Sequence, residues 1–175
     1  MTVKPANEEN CNDLGVFYYD RKMPDSALKY FSEAIKIKPD FILPYNNLAL
    51  VYETFYRNYS KAEQYYSDAL RINPSYSLAL RNLALLYKKT GKNKKAEDIY
   101  LKLMATEPDK YNTWLAAGNF YYDATKDAEK TEKYYLKALS IDSTDPALYN
   151  NLGLVYENLK KVIKKQSGIT CKQLK

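Results

Sequence analysis

Three asparagines occupy the same place in a recurring stretch of the chain, and their side chains could bind a peptide backbone. Asn47, Asn82 and Asn151 each stand directly before a leucine. An asparagine amide carries a donor pair and an acceptor on a short stem, so it can bond both the N–H and the C=O of one peptide unit. Repeated at a regular spacing, such amides would hold an extended ligand by its backbone. The alternative is that asparagine serves here only as a soluble residue in an Asn-rich chain.

Other side chains near these asparagines could complete a binding surface. Three positions further on, apolar residues predominate and would form a floor between the polar groups. Two tyrosines, Tyr19 and Tyr122, could add stacking or hydroxyl contacts, although packing between helices explains them equally well. The candidate binding residues are Asp13, Tyr19, Asn47, Leu50, Asn82, Leu85, Asn119, Tyr122 and Asn151.

The sequence lacks histidine and the common catalytic motifs. The chain has no histidine, which is the commonest general base and metal ligand. It has no CxxC pair, no Gly-rich phosphate loop and no nucleophile elbow. Acidic pairs such as Glu8 and Glu9 are explained by an exposed helix surface near a helix N-terminus. The sequence therefore predicts a protein that is not an enzyme and that needs no cofactor or metal.

The net charge of +6 is concentrated in one segment. Residues 160–175 contain six lysines and no acid, so the remaining 21 basic residues equal the 21 acidic ones. The chain outside residues 160–175 is therefore neutral and would not be steered toward a phosphate backbone. This charge distribution argues against nucleic acid as the partner. Nucleic-acid binding through the Lys-rich tail is one alternative. A simpler interpretation is that the tail is a frayed end, or a soluble cap in which Lys160–Lys165 extends the last helix.

The composition predicts a cytoplasmic protein without a membrane span. No apolar run approaches the roughly 18 residues of a spanning helix. The first residues lack the apolar core of a signal peptide. The two cysteines, Cys11 and Cys171, lie far apart and suggest no disulfide framework, which agrees with a reducing compartment.

A period of 34 to 35 residues organises the whole chain. Its markers are Tyr18, Tyr52, Tyr87, Tyr121 and Tyr156. Small residues stand three positions before each marker, at Gly15, Ala49, Ala84, Gly118 and Gly153. Apolar residues at offsets of three and four predict two amphipathic helices in each period, and small residues mark their crossings. Pro39, Pro74 and Pro108 close the first three periods and turn the chain into the next. We predict first helices near 8–21, 42–56, 77–90, 111–124 and 146–160, and second helices near 24–37, 60–72, 93–106 and 128–141.

This pattern resembles the tetratricopeptide repeat over residues 8–159. Cys11 departs from it, standing where the other copies carry Tyr45, Trp114 or Tyr149, and the second and fourth copies have one extra residue between their helices. The resemblance implies an all-α, right-handed superhelical solenoid whose first helices line a concave groove. The predicted organisation is an extension at 1–7, four repeats at 8–41, 42–76, 77–110 and 111–145, a fifth first helix or capping helix at 146–159, and a Lys-rich tail at 160–175.

The three asparagines resemble the asparagine ladder, a row of asparagines along the groove, in the repeat arrays of O-linked N-acetylglucosamine transferases. Asn47, Asn82 and Asn151 match that ladder, whereas Asp13 and Ala116 interrupt it. The resemblance implies an interaction scaffold that binds an extended segment of a protein or peptide partner in the concave groove. The alternative is a substrate-targeting array of a larger enzyme, such as a protein O-glycosyltransferase, whose catalytic part would lie outside this chain.

The carboxylate clamp of co-chaperones is a competing family pattern. It requires Lys and Asn in the first repeat, Asn in the second, and Lys and Arg in the third. The corresponding positions are Asn12, Val16, Asn47, Leu78 and Asn82, of which only Asn47 matches. A buried carboxylate without basic partners would be costly, so the sequence argues against this mode of binding.

Overall fold

Helices joined by short turns make up the described part of the chain. The computed structural model describes residues 7–167, without the side chains of 159, 160 and 162–167, and this range contains no β-strand. The helices are α1 (Glu8–Asp20), α2 (Pro24–Ile37), α3 (Ile42–Thr54), α4 (Tyr59–Ile72), α5 (Ser77–Lys89), α6 (Asn93–Thr106), α7 (Tyr111–Phe120), α8 (Ala128–Ile141) and α9 (Pro146–Ser167). A π-helical segment, Tyr121–Thr125, follows α7 directly. The predicted all-α fold of helix–turn–helix repeats is confirmed.

The chain divides after Ile99 into two compact units. In the first unit, Ala27 and Phe31 of α2 pack with Leu48 and Val51 of α3. In the second unit, Tyr135 and Ala138 of α8 pack with Leu148, Leu152 and Val155 of α9. In both units the second helix of one repeat therefore packs against the first helix of the next, as the apolar offsets predict.

In the first and fourth repeats, the close crossing of the two helices leaves room only for glycine. A methyl group added to Gly15 would lie 2.4 Å from ring carbons of Phe31. A methyl group added to Gly118 would lie equally close to the ring of Tyr135. At Gly153 of α9, no atom of the described residues lies within 4 Å of an added methyl group. Among the described residues, no second helix therefore packs on α9 at this position.

Each turn inside a repeat contains one residue in the left-handed conformation. These residues are Lys22, Arg57, Gly91 and Lys126, with φ of 58°, 50°, 72° and 58°. In the short turns, the N–H of Met23 bonds to the carbonyl of Tyr18 at 2.9 Å, five residues back. In the turns with one more residue, the bond spans six, as from Asp127 to Tyr121 at 3.2 Å. In the fourth repeat the extra residue is taken up by the π-helical segment, which is why α7 ends earlier than predicted.

Replacing Lys22 by glycine is expected to stabilise the protein by about 0.5–1 kcal/mol. The left-handed conformation costs an L-residue about 1–2 kcal/mol, and the greater chain entropy of glycine cancels part of the gain. Urea denaturation followed by circular dichroism would measure the change. Gly91→Ala, which adds the same strain to the third turn, should lower the free energy of unfolding by a similar amount. Equal stability of both variants and the parent would contradict the strain.

Two aromatic residues at the same repeat position donate hydrogen bonds to the proline that closes the preceding repeat. The hydroxyl of Tyr45 donates to the carbonyl of Pro39, and the indole N–H of Trp114 donates to the carbonyl of Pro108, both at 2.8 Å. Cys11, the departure at this position, is buried and 3% exposed. The aromatic residues therefore tie the end of one repeat to the start of the next.

A charged cluster joins the second and third repeats. Glu63 accepts from the hydroxyl of Tyr87 at 2.9 Å and from the ammonium groups of Lys92 and Lys95 at 2.5 and 3.2 Å. Partial burial opposes ionisation of Glu63, but the bonds from Lys92, Tyr87 and Lys95 together hold its pKa below the usual value. Burial and the bond to Glu63 raise the pKa of Tyr87 to about 12, so its hydroxyl remains a donor near neutral pH.

The lowered pKa of Glu63 predicts a pH-dependent contribution to stability. The contribution is complete above the unfolded carboxyl pKa of about 4.3 and is lost as the pH falls through the lower folded value. Glu63→Gln should lower the free energy of unfolding by only about 0.5–1 kcal/mol at pH 7, because solvent screens ion pairs with partly exposed lysines. The loss should be smaller at pH 3, where protonation has already removed part of the stabilisation. Urea denaturation of both proteins at the two pH values would measure this. The same difference at both would contradict a role for the charge.

The last helix extends beyond its predicted end. The pattern predicts a helix near 146–160, and an extension by Lys160–Lys165 is one of the two interpretations of the tail. The helix α9 continues to Ser167, as in that interpretation. No proline or glycine interrupts the chain between Gly153 and Gly168, and Lys161 pairs with Glu157 one turn earlier at 2.7 Å. Residues 160–167 therefore extend the fifth first helix, and the rest of the predicted tail, 168–175, lies outside the described residues.

Candidate peptide-binding groove

The predicted binding residues lie on the first helices of the repeats, except Tyr122, which lies in the π-helical segment after α7. Each unit gathers several of them around a recess. In the first unit a recess of about 220 Å³ opens between α1 and α3, and we call it the α1–α3 recess. It contains three predicted residues, Tyr19, Asn47 and Leu50. The complete lining is Val16, Tyr19, Asp20, Phe31, Asn47 and Leu50.

The second unit has a recess at the equivalent repeat positions, and we call it the α7–α9 recess. Its volume is about 150 Å³, and it contains the predicted residues Asn119, Tyr122 and Asn151. The complete lining is Asn119, Tyr122, Asp123, Tyr135, Asn151 and Leu154. Each of these residues is 103 or 104 positions after its counterpart in the α1–α3 recess. The fold thus builds the same recess twice from one repeat pattern.

Two substitutions make the interiors of the two recesses chemically different. Val16 and Phe31 of the first recess are replaced by Asn119 and Tyr135 in the second. The hydroxyl of Tyr135 donates to Oδ1 of Asn119 at 2.7 Å. Burial, followed by the charge of Asp123, raises the pKa of Tyr135 to about 12, so this hydroxyl stays a donor at neutral pH. The α1–α3 recess is therefore apolar inside, and the α7–α9 recess contains a polar pair.

Two of the three predicted ladder asparagines bond to asparagines of the preceding repeat. Nδ2 of Asn47 donates to Oδ1 of Asn12 at 3.0 Å, and Nδ2 of Asn82 donates to Oδ1 of Asn46 at 2.9 Å. Asn12 and Asn46 are buried, at 7% and 1% exposure. These amides therefore tie α1 to α3 and α3 to α5. Removing Asn47 or Asn82 would leave a buried acceptor without its donor, so both side chains also contribute to the stability of the array.

Asn151 differs from the other two ladder residues. It is half-buried beside the α7–α9 recess, and its amide has no hydrogen-bond partner among residues 7–167. Leu115 precedes Ala116 in the preceding repeat, so no asparagine stands at the place of Asn12 or Asn46. Asn151 is thus the ladder asparagine whose donor and acceptor both remain available to a ligand.

The remaining predicted residues lie in more open parts of the first helices. Asp13 is exposed on α1, and Leu85 of α5 is 52% exposed. Tyr19 also packs edge-to-face on Phe55, with ring centroids 5.3 Å apart, and its hydroxyl lies 3.2 Å from Oγ1 of Thr54. Tyr19 therefore combines the packing role with a place in the recess wall.

Sequence reasoning missed Asn12, Asn46 and Phe31, and each had a visible signal. Asn12 and Asn46 occupy one recurring position, directly before Asp13 and Asn47. Phe31 belongs to the series of aromatic residues in the second helices, which the pattern assigns to packing alone.

Within residues 7–167, no group of three or more His, Cys, Asp or Glu side chains is arranged to hold a metal ion. No helix in this part of the chain is long and apolar enough to cross a membrane.

Family models and solved structures agree on the same repeat. One model of the tetratricopeptide repeat matches residues 8–41 and 111–145, a second matches 56–118, and a third matches 134–167. No curated protein was found to match the chain in sequence.

Solved structures of tetratricopeptide-type proteins share the fold at low sequence identity. MamA 41-end from Desulfovibrio magneticus is 19% identical with a TM-score of 0.73, covering 92% of this chain and 89% of its own. PilF from Pseudomonas aeruginosa is 18% identical with a TM-score of 0.74, covering 91% of this chain and 72% of its own. A tetratricopeptide repeat protein from Parabacteroides merdae is 21% identical with a TM-score of 0.73, covering 94% and 64%.

Proposed function

Because the chain belongs to the tetratricopeptide repeat family, a family of protein-interaction scaffolds, we propose that it binds an extended segment of a partner protein along its first helices. The observation that carries the proposal is the α1–α3 recess, where Tyr19, Asn47 and Leu50 meet around one cavity. The recess is smaller than the roughly 300–1,000 Å³ of small-molecule sites, so its size suits a single side chain of a polypeptide.

The exposed apolar residues of the first helices support the same proposal. Val16 and Leu85 occupy equivalent positions on α1 and α5 of the first unit, and each is at least 39% exposed. Leu50 stands at the same position of α3 and is half-buried, so three successive first helices of this unit carry an apolar residue there. Isolated exposed apolar side chains are common, whereas a repeated series of this kind supports a ligand-binding surface. In this function the protein is a scaffold without catalytic activity of its own.

Photo-crosslinking tests which surface contacts a partner. A photoreactive phenylalanine at Leu85 should form adducts with one continuous stretch of a partner, identified by mass spectrometry. The same residue at Gln64, exposed on the second helix α4, is the matched control and should form few adducts. Adducts at Gln64 and none at Leu85 would place the partner on the second helices and overturn the proposal.

A further inference from the structure

The chemistry of the α1–α3 recess indicates what kind of segment it accepts, and this step rests on the proposed function. Its interior is formed by Val16, Phe31 and Leu50. The two uncharged polar residues in the wall are already engaged: Nδ2 of Asn47 bonds to Asn12, and the hydroxyl of Tyr19 lies within bonding distance of Thr54. A polar side chain entering the recess would therefore lose water without a full set of replacement bonds, which favours an apolar side chain.

Two carboxylates flank the recess along α1. Asp20 forms part of the wall, and Asp13 lies one turn before Val16 on the same helical face. Both are exposed, and neither forms an ion pair among residues 7–167. The adjacent cation, Arg21, lies over the ring of Phe17 with its guanidinium carbon 3.5 Å from the ring centroid. The rim of the recess is therefore acidic, with no compensating cation bonded to it.

From this combination we infer that the α1–α3 recess binds an apolar side chain of a partner segment that carries lysine or arginine on both sides of it. The apolar side chain fills the recess, and the basic neighbours meet Asp13 and Asp20. Rim charges of this kind contribute more to the association rate and to the choice of partner than to affinity. The apolar side chain therefore supplies most of the affinity, and the carboxylates select basic sequences.

The α7–α9 recess supplies an internal control. Its Tyr135–Asn119 pair occupies the place of the apolar pair Phe31 and Val16, and Ala116 stands where α1 has Asp13. A segment chosen for an apolar interior and an acidic rim should not bind there. The double variant Val16→Asn with Phe31→Tyr transfers this polar pair to the first recess, and the native pair shows that the repeat accommodates it.

Fluorescence anisotropy tests the inference with a labelled probe peptide. The probe has one leucine between two lysine pairs, with glycine at both ends. We expect it to bind the full chain, with affinity falling more than tenfold when its leucine becomes asparagine. Val16→Asn with Phe31→Tyr should produce a similar loss in the protein, with unchanged circular dichroism. Leu154→Asn, in the second recess, should leave the affinity unchanged.

Charge variants test the acidic rim separately. Asp13→Asn with Asp20→Asn should weaken probe binding about threefold to tenfold at low salt and much less at high salt, as expected for exposed ion pairs. Equal binding of the leucine and asparagine probes, or no effect of the carboxylates, would overturn the inference. So would a dimer of the protein that Val16→Asn dissociates, because a second copy would then occupy the recess. If the probe fails but photo-crosslinking at Leu85 captures a partner segment, the inference fails and the proposed function stands.

Discussion

Asn82→Ala is expected to lower the free energy of unfolding by about 1–3 kcal/mol, because it removes the donor that satisfies Oδ1 of the buried Asn46. Asn47→Ala should act in the same way through Asn12, with a smaller effect since Asn12 is more exposed. Urea denaturation followed by circular dichroism would measure both. This result would identify the two asparagines as ties between repeats as well as candidate ligand contacts.

The matched control is Asn151→Ala, whose amide has no partner among the described residues. Its stability should stay within about 0.5 kcal/mol of the parent, as for an ordinary surface substitution. A double-mutant cycle isolates the bond: Asn46→Ala with Asn82→Ala should cost less than the sum of the single changes, because no acceptor is then left unpaired. Additive costs, or a cost at Asn151 equal to that at Asn82, would contradict the inter-repeat bond.

Gly118→Ala is expected to destabilise the second unit by about 1–3 kcal/mol, because its methyl group would lie 2.4 Å from the ring of Tyr135. Tyr135 is 1% exposed and its hydroxyl is bonded to Asn119, so the ring has little room to move. The loss should appear in thermal or urea denaturation. Gly15→Ala should behave similarly in the first unit, where the neighbour is Phe31.

Gly153→Ala, at the same repeat position, is expected to raise the free energy of unfolding instead of lowering it. No described atom lies within 4 Å of the added methyl group, and alanine is favoured over glycine inside a helix by about 0.5–1 kcal/mol. The protein should therefore become more stable. A loss at Gly153 comparable to that at Gly118 would mean that an element outside the described residues covers α9 at this position.

The helical repeat could be predicted because its physical cause is local. Apolar residues three and four apart define a helix face, and small residues define a crossing, so the period placed most helix ends within two residues of those observed. The exceptions depend on interactions that the period does not contain. The helix α7 ends at Phe120 because an extra residue enters the following turn, and α9 continues to Ser167 because its lysine-rich sequence still forms helix.

The groove could be predicted only in part. Equivalent positions bring Tyr19, Asn47 and Leu50 to one recess, and the repeat pattern contains that information. The choice of partner for each amide does not follow from the pattern, because Asn47 bonds to Asn12 at a separation of 35 residues and Asn82 to Asn46 at 36. A polar residue at a groove position can serve a ligand, a neighbouring repeat or both, and only the spatial arrangement distinguishes them.

Isothermal titration calorimetry of a partner segment, taken from the crosslinked adduct, tests the groove proposal most directly. The segment would be titrated into the parent protein, into Leu85→Asp on α5 and into Gln64→Asp on α4, both at exposed positions. The account predicts that Leu85→Asp weakens binding at least tenfold and that Gln64→Asp leaves it unchanged. Unchanged binding by Leu85→Asp, with a loss at Gln64→Asp, would contradict it.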